Sequence, residues 1–221
     1  DADTGMANLL FHAGLDDADV TLHDLLVENR TAAVDDAVYD RFGMSVVPCG
    51  TSLDGFSAAD PGRLRDVVAD LAADTDVLLL DSPAALGSKS AVLPIVLADR
   101  TVIVLQPTVP SLSDGLKVQE YAQSYGTSTA GVLFNRVQPD EDVETVADRA
   151  ARYFGGTTLG AVPESDAVRA ARRAGEPLLA HAPTDPAADA FRNAAAALDV
   201  RPGDAERVAD RFRSAVVPDR P

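Results

Sequence analysis

The chain has 221 residues, 46% of them hydrophobic, enough for one sizeable α/β domain with its own core. Acidic residues number 35 against 19 Lys and Arg, and the net charge of −16 disfavours nonspecific DNA binding by long-range electrostatics. No apolar run approaches the ~18 residues of a membrane helix, and the single Cys49 excludes an internal disulfide framework and any Cys-rich metal or iron–sulfur site. With no basic region leading into an apolar stretch at the start, a cytoplasmic location is expected.

The chain opens D-A-D-T-G-M-A-N-L-L, without Met. Side chains alternate in extended backbone, so Asp1 and Asp3 share a face and can line one pocket. Alternatively, Asp3 and Thr4 cap a short helix beginning near Gly5. Nearly continuous apolar runs follow at 44–50, 76–83, 100–107, 130–137 and 157–163, the mark of strands buried on both faces of a parallel sheet. Between them lie helical patterns. In 60–74, Leu64, Val67, Val68 and Leu71 fall on one face, and similar faces recur in 87–98, 111–125, 139–154 (opened by Pro139) and 184–198. Strand and helix in alternation predict a doubly wound α/β fold, its sheet mostly parallel and covered by helices on both faces. Ligands of such folds sit at the carboxyl ends of the strands.

Candidate chemistry falls at those ends. Val77-Leu-Leu-Leu-Asp81 is the pattern of a strand whose terminal carboxylate holds Mg²⁺ beside a nucleotide phosphate; an ordinary Asp-Ser-Pro turn is the simpler alternative. Asn135 and Arg136 follow the next-to-last strand, and an Asn amide suits an adenine edge. Pro163 and Glu164 follow the last strand, before an Arg-rich helix. Both pairs also make ordinary strand-to-helix turns.

In this order and spacing the pieces resemble the MinD/ParA family of deviant-Walker P-loop ATPases over roughly residues 1–198, MinD more than ParA. Asp1, Asp3, Gly5, Asn8 and Leu9 look like its D-x-D-x-G-x-x-N-L switch I segment. Asp81-Ser82-Pro83-Ala84 resembles the end of the Walker B strand. Ser111 and Asp114 suit a P-x-x-x-S-x-x-D run, and 160–179 matches the segment after the last core strand. The resemblance implies that Asp3 positions the water attacking the γ-phosphate and that Asp81 binds Mg²⁺ through water. It places Asn135, Arg136, Pro163 and Glu164 around adenine. It also implies an ATP-dependent homodimer with an unidentified activating or cargo protein, acting as a switch in positioning or cell division.

The family's Gly-rich phosphate loop is missing, since no G-x-x-x-x-G-K-S/T run occurs in the 221 residues. The expectation is an N-terminally truncated chain that lacks the first strand, the loop and the first helix, and is inactive by itself. A non-catalytic scaffold and a ParA-type DNA-segregation ATPase are the alternatives.

Composition adds a habitat. The acids are 28 Asp and 7 Glu, and Lys89 and Lys117 are the only lysines, which together with abundant Ala resembles proteins of salt-in halophilic archaea. Lys89 reads as a solvated loop residue rather than a phosphate ligand. His12, His23 and His181 lack metal-ligand spacing and receive no chemical role. Residues 1–200 are expected to form the ATPase domain, and 201–221 a tail. Within it, 204–217 sets Ala205, Val208, Ala209, Phe212, Ala215 and Val216 on one helical face. Small apolar residues and no lysine cluster favour packing on protein over membrane attachment.

Overall fold

The computed structural model describes residues 1–84 and 86–200. Those residues divide into two compact units, 1–97 and 98–200. In chain order the elements are α1 (Leu9–His12), α2 (Leu22–Leu25), β1 (Tyr39–Arg41), β2 (Met44–Val46), α3 (Leu53–Ala58), α4 (Leu64–Ala73), α5 (Lys89–Leu97), β3 (Arg100–Leu105), α6 (Val109–Ser124), β4 (Ser128–Val137), α7 (Val143–Ala150), β5 (Thr157–Pro163), α8 (Asp166–Ala174), α9 (Leu178–His181) and α10 (Pro186–Ala197). The helix expected at 204–217 lies outside the described residues, as does the Lys89 side chain.

Side-chain caps decide where the longer helices start. Thr108 Oγ1 accepts from Ser111 N, Asp142 Oδ1 from Thr145 N, Ser165 Oγ from Ala167 N and Asp185 Oδ1 from Ala187 N, each satisfying an amide with no intrahelical partner. The helix expected from Pro139 therefore begins at Val143, because Glu141 first closes a turn by accepting from Gln138 N at 2.6 Å. Among the described residues no helix is long and apolar enough to cross a membrane.

In residues 98–200 the sheet order is β3-β4-β5, all parallel. Alternation along β4 feeds two cores. Val132 and Phe134 pack with Ile103, Leu105 and the apolar faces of α6 and α7. Leu133 packs with Leu159, Val162 and helices α9 and α10, so helices cover both faces of β4, whereas Val102 and Val104 of β3 stay exposed against expectation. Gly131 is required by the β4–β5 approach, since a Cβ there would meet Thr157 O and Leu159 Cγ at 2.6 Å.

Residues 1–97 depart further from expectation. The run 44–50 is not a parallel strand. Its first three residues form β2, the return arm of an antiparallel hairpin with β1, and Pro48 to Gly50 are irregular. The run 76–83 makes no ladder either. Leu78 and Leu80 pack on the core of Leu22, Leu25, Leu64, Val67, Val68 and Leu93, whereas Val77 and Leu79 face outward, Leu79 at 79% exposure. Its apolar residues thus serve one covered face, with period 2. The helix read in 60–74 is α4 with a preceding 3₁₀ turn, and Leu64, Val67 and Val68 are buried as the spacing demands.

Candidate functional site

Asp1 and Asp3 do alternate with buried Ala2, but their carboxylates have different work. Asp1 Oδ1 accepts from Asp3 N at 3.1 Å, and Oδ2 from Asn8 N and Leu9 N at 3.2 and 3.1 Å. Asp1 thereby closes the loop 1–9 and supplies the acceptor at the start of α1, where Asn8 makes no side-chain cap. Asp3 Oδ1 accepts from Gly5 N and Met6 N at 3.2 and 2.9 Å and folds the following turn. The short helix that Asp3 and Thr4 were expected to cap near Gly5 is absent; the helix starts at Leu9 under Asp1. Asp3 Oδ2 makes no hydrogen bond among the described residues. Gly5 has ordinary contact room for a Cβ, so its lack of side chain is not a steric demand of this turn.

Asp81 reaches the same place through backbone. Ala2 N donates to Asp81 O at 2.8 Å, one strand-like contact that sets the 77–83 segment beside Asp1-Ala2-Asp3. The Asp81 carboxylate is exposed and has no side-chain partner among the described residues. Among those residues no group of three His, Cys, Asp or Glu side chains is set to hold a metal ion by itself.

Beside this carboxylate cluster, a cavity of about 350 Å³ is lined by Thr4 to Asn8, His23, Gly50 to Leu53 and Phe56. Its rim carries exposed Met6 and Leu53, at 78% and 81%. His23 is buried, 4% exposed, and its Nε2 lies 2.9 Å from Thr4 O. A carbonyl only accepts, so Nε2 carries the hydrogen and donates. His23 Nδ1 and Thr4 Oγ1 are both buried without a partner. Sequence reading assigned His23 no role, because metal-ligand spacing was the only signal sought. The available signal was Thr21-x-x-Asp24, a helix-start pattern: Asp24 Oδ2 accepts from Thr21 N and Oγ1, both at 2.8 Å, and sets His23 in the first turn of α2.

In residues 98–200, Asn135, Arg136, Pro163 and Glu164 meet at the carboxyl ends of β4 and β5. Glu164 N donates to Val137 O at 2.9 Å, extending the ladder past a bulge at which Arg136 takes φ of 57°. Asn135 Oδ1 accepts from Arg136 N at 2.9 Å. Glu164 pairs with Arg136 at 3.2 Å and Arg169 at 2.8 Å. Pro163 and Glu164 line a cavity of about 400 Å³ with Ser165, Asp166, Ala167, Asp185 and Pro186. Ser111 Oγ accepts from Gln106 N at 3.1 Å, and Asp114 pairs with Lys117 at 2.9 Å. The expected residues thus form two clusters, one in each unit.

No family model matches the chain. Over 199 residues it is 36% identical to an uncharacterized ATP-binding protein of Methanocaldococcus jannaschii, covering 90% of this chain and 74% of the relative. Its fold is similar to the cell division ATPase MinD of Pyrococcus furiosus, with a TM-score of 0.80 at 30% identity over 90% of this chain and 83% of that one. The septum site-determining protein MinD of Pyrococcus horikoshii, solved with Mg-ADP, matches with a TM-score of 0.77 at 27% identity, covering 90% and 81%. The α/β architecture, the carboxylates at the ends of extended segments and the relatives agree: the chain belongs to the MinD/ParA family of P-loop ATPases.

Proposed function

We propose that the chain is the switch-and-adenine part of a MinD-like ATPase, which binds MgATP, dimerises and is reset by hydrolysis in a positioning or division task. The observation that carries the reading is Asp3: one oxygen is spent on the turn it belongs to, and the other is uncommitted beside the Asp81 segment. The residues fit a hydrated cation. Asp81 offers an exposed carboxylate, and Mg²⁺ retains several waters, so a protein cage of three ligands is not required. MgATP, when bound, supplies the phosphoryl group and the cation that neutralises it. Asp3 Oδ2 accepts a hydrogen bond from water and orients its lone pair for attack. Asp81 would hold the cation through water. Asn135, Arg136 and the backbone around Pro163 and Glu164 would meet the adenine, and the exposed apolar rim of Met6, Leu53 and Phe56 supports a dimer contact beside the switch segment.

The 221 residues contain no phosphate cradle of the G-x-x-x-x-G-K-S/T type, so the test is made on the native full-length protein. Asp3→Ala should bind MgATP with unchanged affinity, accumulate as the ATP dimer in light scattering, and lose hydrolysis by about 10²-fold or more. Hydrolysis at the parental rate sinks the reading.

A further inference from the structure

We infer that His23 is a positioning residue that holds the Asp3 turn against the core, an assignment that rests on the proposed catalytic role of Asp3. The turn at residues 3–6 is tied from within by the Asp3 carboxylate, which accepts from Gly5 N and Met6 N. Those bonds fix the shape of the turn but do not attach it to anything. Attachment comes from the other side, where His23 Nε2 donates to the carbonyl of Thr4, the residue directly after Asp3. Thr4 is 3% exposed, so no water replaces that donor without opening the site.

The imidazole is itself held firmly. Leu22 N donates to Pro48 O at 2.8 Å, docking the start of α2 on the segment that leads into Gly50. Gly50 and Gly55 both approach the Nδ1 edge of the ring: a Cβ at either position would lie 2.8 or 2.9 Å from Nδ1. The two glycines thus crowd Nδ1, and Nε2 is left for one carbonyl. A side chain needed only to fill space would be apolar at this depth, since Nδ1 is buried without a partner. Only the Nε2 bond to Thr4 uses the polar ring, and what it fixes is the main chain beside the carboxylate that orients water. Misplacement of such a group by about 1 Å costs up to ~10²-fold in rate.

The experiment compares His23→Gln, His23→Leu and His23→Asn in the full-length protein, with Asp3→Ala alongside. A Gln amide places an N–H near the Nε2 position; Leu has no donor, and Asn is too short to reach Thr4 O. Leu and Asn should lower kcat at least tenfold with KM for MgATP within twofold, and Gln should stay within about threefold of the parent. Hydrogen exchange at the Gly5 and Met6 amides should quicken in Leu and Asn but not in Gln, a readout independent of turnover. Equal impairment of Gln and Leu, or a Leu variant with parental kcat beside an inactive Asp3→Ala, overturns the positioning role while leaving the ATPase reading intact. Parental hydrolysis by Asp3→Ala removes both.

Discussion

Arg136 Nε lies 3.2 Å from Glu164 Oε2, joining the carboxyl ends of β4 and β5, and Arg136 holds a φ of 57°. A left-handed conformation costs a non-glycine residue about 1–2 kcal/mol, while an exposed ion pair returns about 0–1. Glu164 does not depend on this pair, since Arg169 holds its other oxygen at 2.8 Å. Stability alone therefore gives no reason for Arg at position 136. Arg136→Gly should leave the thermal midpoint unchanged or slightly raised and increase KM for MgATP severalfold. Calorimetry beside nucleotide titration checks it; a midpoint lowered by several degrees would show that the residue is held for folding.

Gly55 offers a second inversion of the usual rule. It sits inside α3, where Gly→Ala normally gains up to about 1 kcal/mol of helix propensity. Here the new methyl would lie 2.9 Å from both His23 Nδ1 and Ser52 Oγ, and the buried ring cannot yield as an exposed side-chain tip would. Gly55→Ala should destabilise the protein, by about 1–3 kcal/mol in urea unfolding. A stabilised variant would mean that the His23 ring has freedom the packing denies it.

How much of this was legible in advance depends on which force sets each feature. In residues 98–200 the apolar runs became β3, β4 and β5, but only β4 feeds a core on each face; β3 buries Ile103 and Leu105 and leaves Val102 and Val104 exposed. In 44–50 and 76–83 the same pattern misled. Met44 pairs back to Arg41 in a hairpin, and Leu79 is exposed while Leu78 and Leu80 pack, so that segment is covered on one face only. Local composition cannot report whether a layer covers the second face. Asp1 and Asp3 were placed on one face by period 2 alone, yet their division of labour depends on loop closure to Asn8 and Leu9, which no period encodes. Thr21-x-x-Asp24 places His23 in the first turn of a helix, but its bond is to a backbone carbonyl, which leaves no residue-type signature.

Gln119 secures the amino ends of β4 and β5, opposite the second cluster. Buried in α6, it donates from Nε2 to Tyr153 O at 3.0 Å and accepts at Oε1 from Gly155 N at 2.6 Å. This two-point clamp fixes the turn after α7 that brings Phe154 into the core. Gln119→Leu conserves bulk but leaves two main-chain groups unpaired, and should cost about 2–3 kcal/mol in urea unfolding. Gln119→Glu should cost a similar amount, because a carboxylate cannot donate to Tyr153 O. Parental stability in both would show that water satisfies the turn.

Cys49 sets the alkaline limit of the core of residues 1–97. The thiol is fully buried, and that burial pushes its pKa from an ordinary 9.0 up to about 11. The folded state therefore keeps the thiol proton at pH values where the unfolded chain has lost it. The sign follows: the contribution to stability is complete below pH 9, declines as the unfolded thiol ionises, and is gone once pH passes about 11. Urea midpoints of the parent should fall between pH 8.5 and 11 more steeply than those of Cys49→Ala, and the curves should differ little in shape below pH 8.5. Alkylation of Cys49 by iodoacetamide at pH 8 should be slow and accelerate only with unfolding, since a buried protonated thiol is a poor nucleophile. Parallel pH curves for the two proteins, or fast alkylation of the folded parent, would place the thiol at the surface of this core.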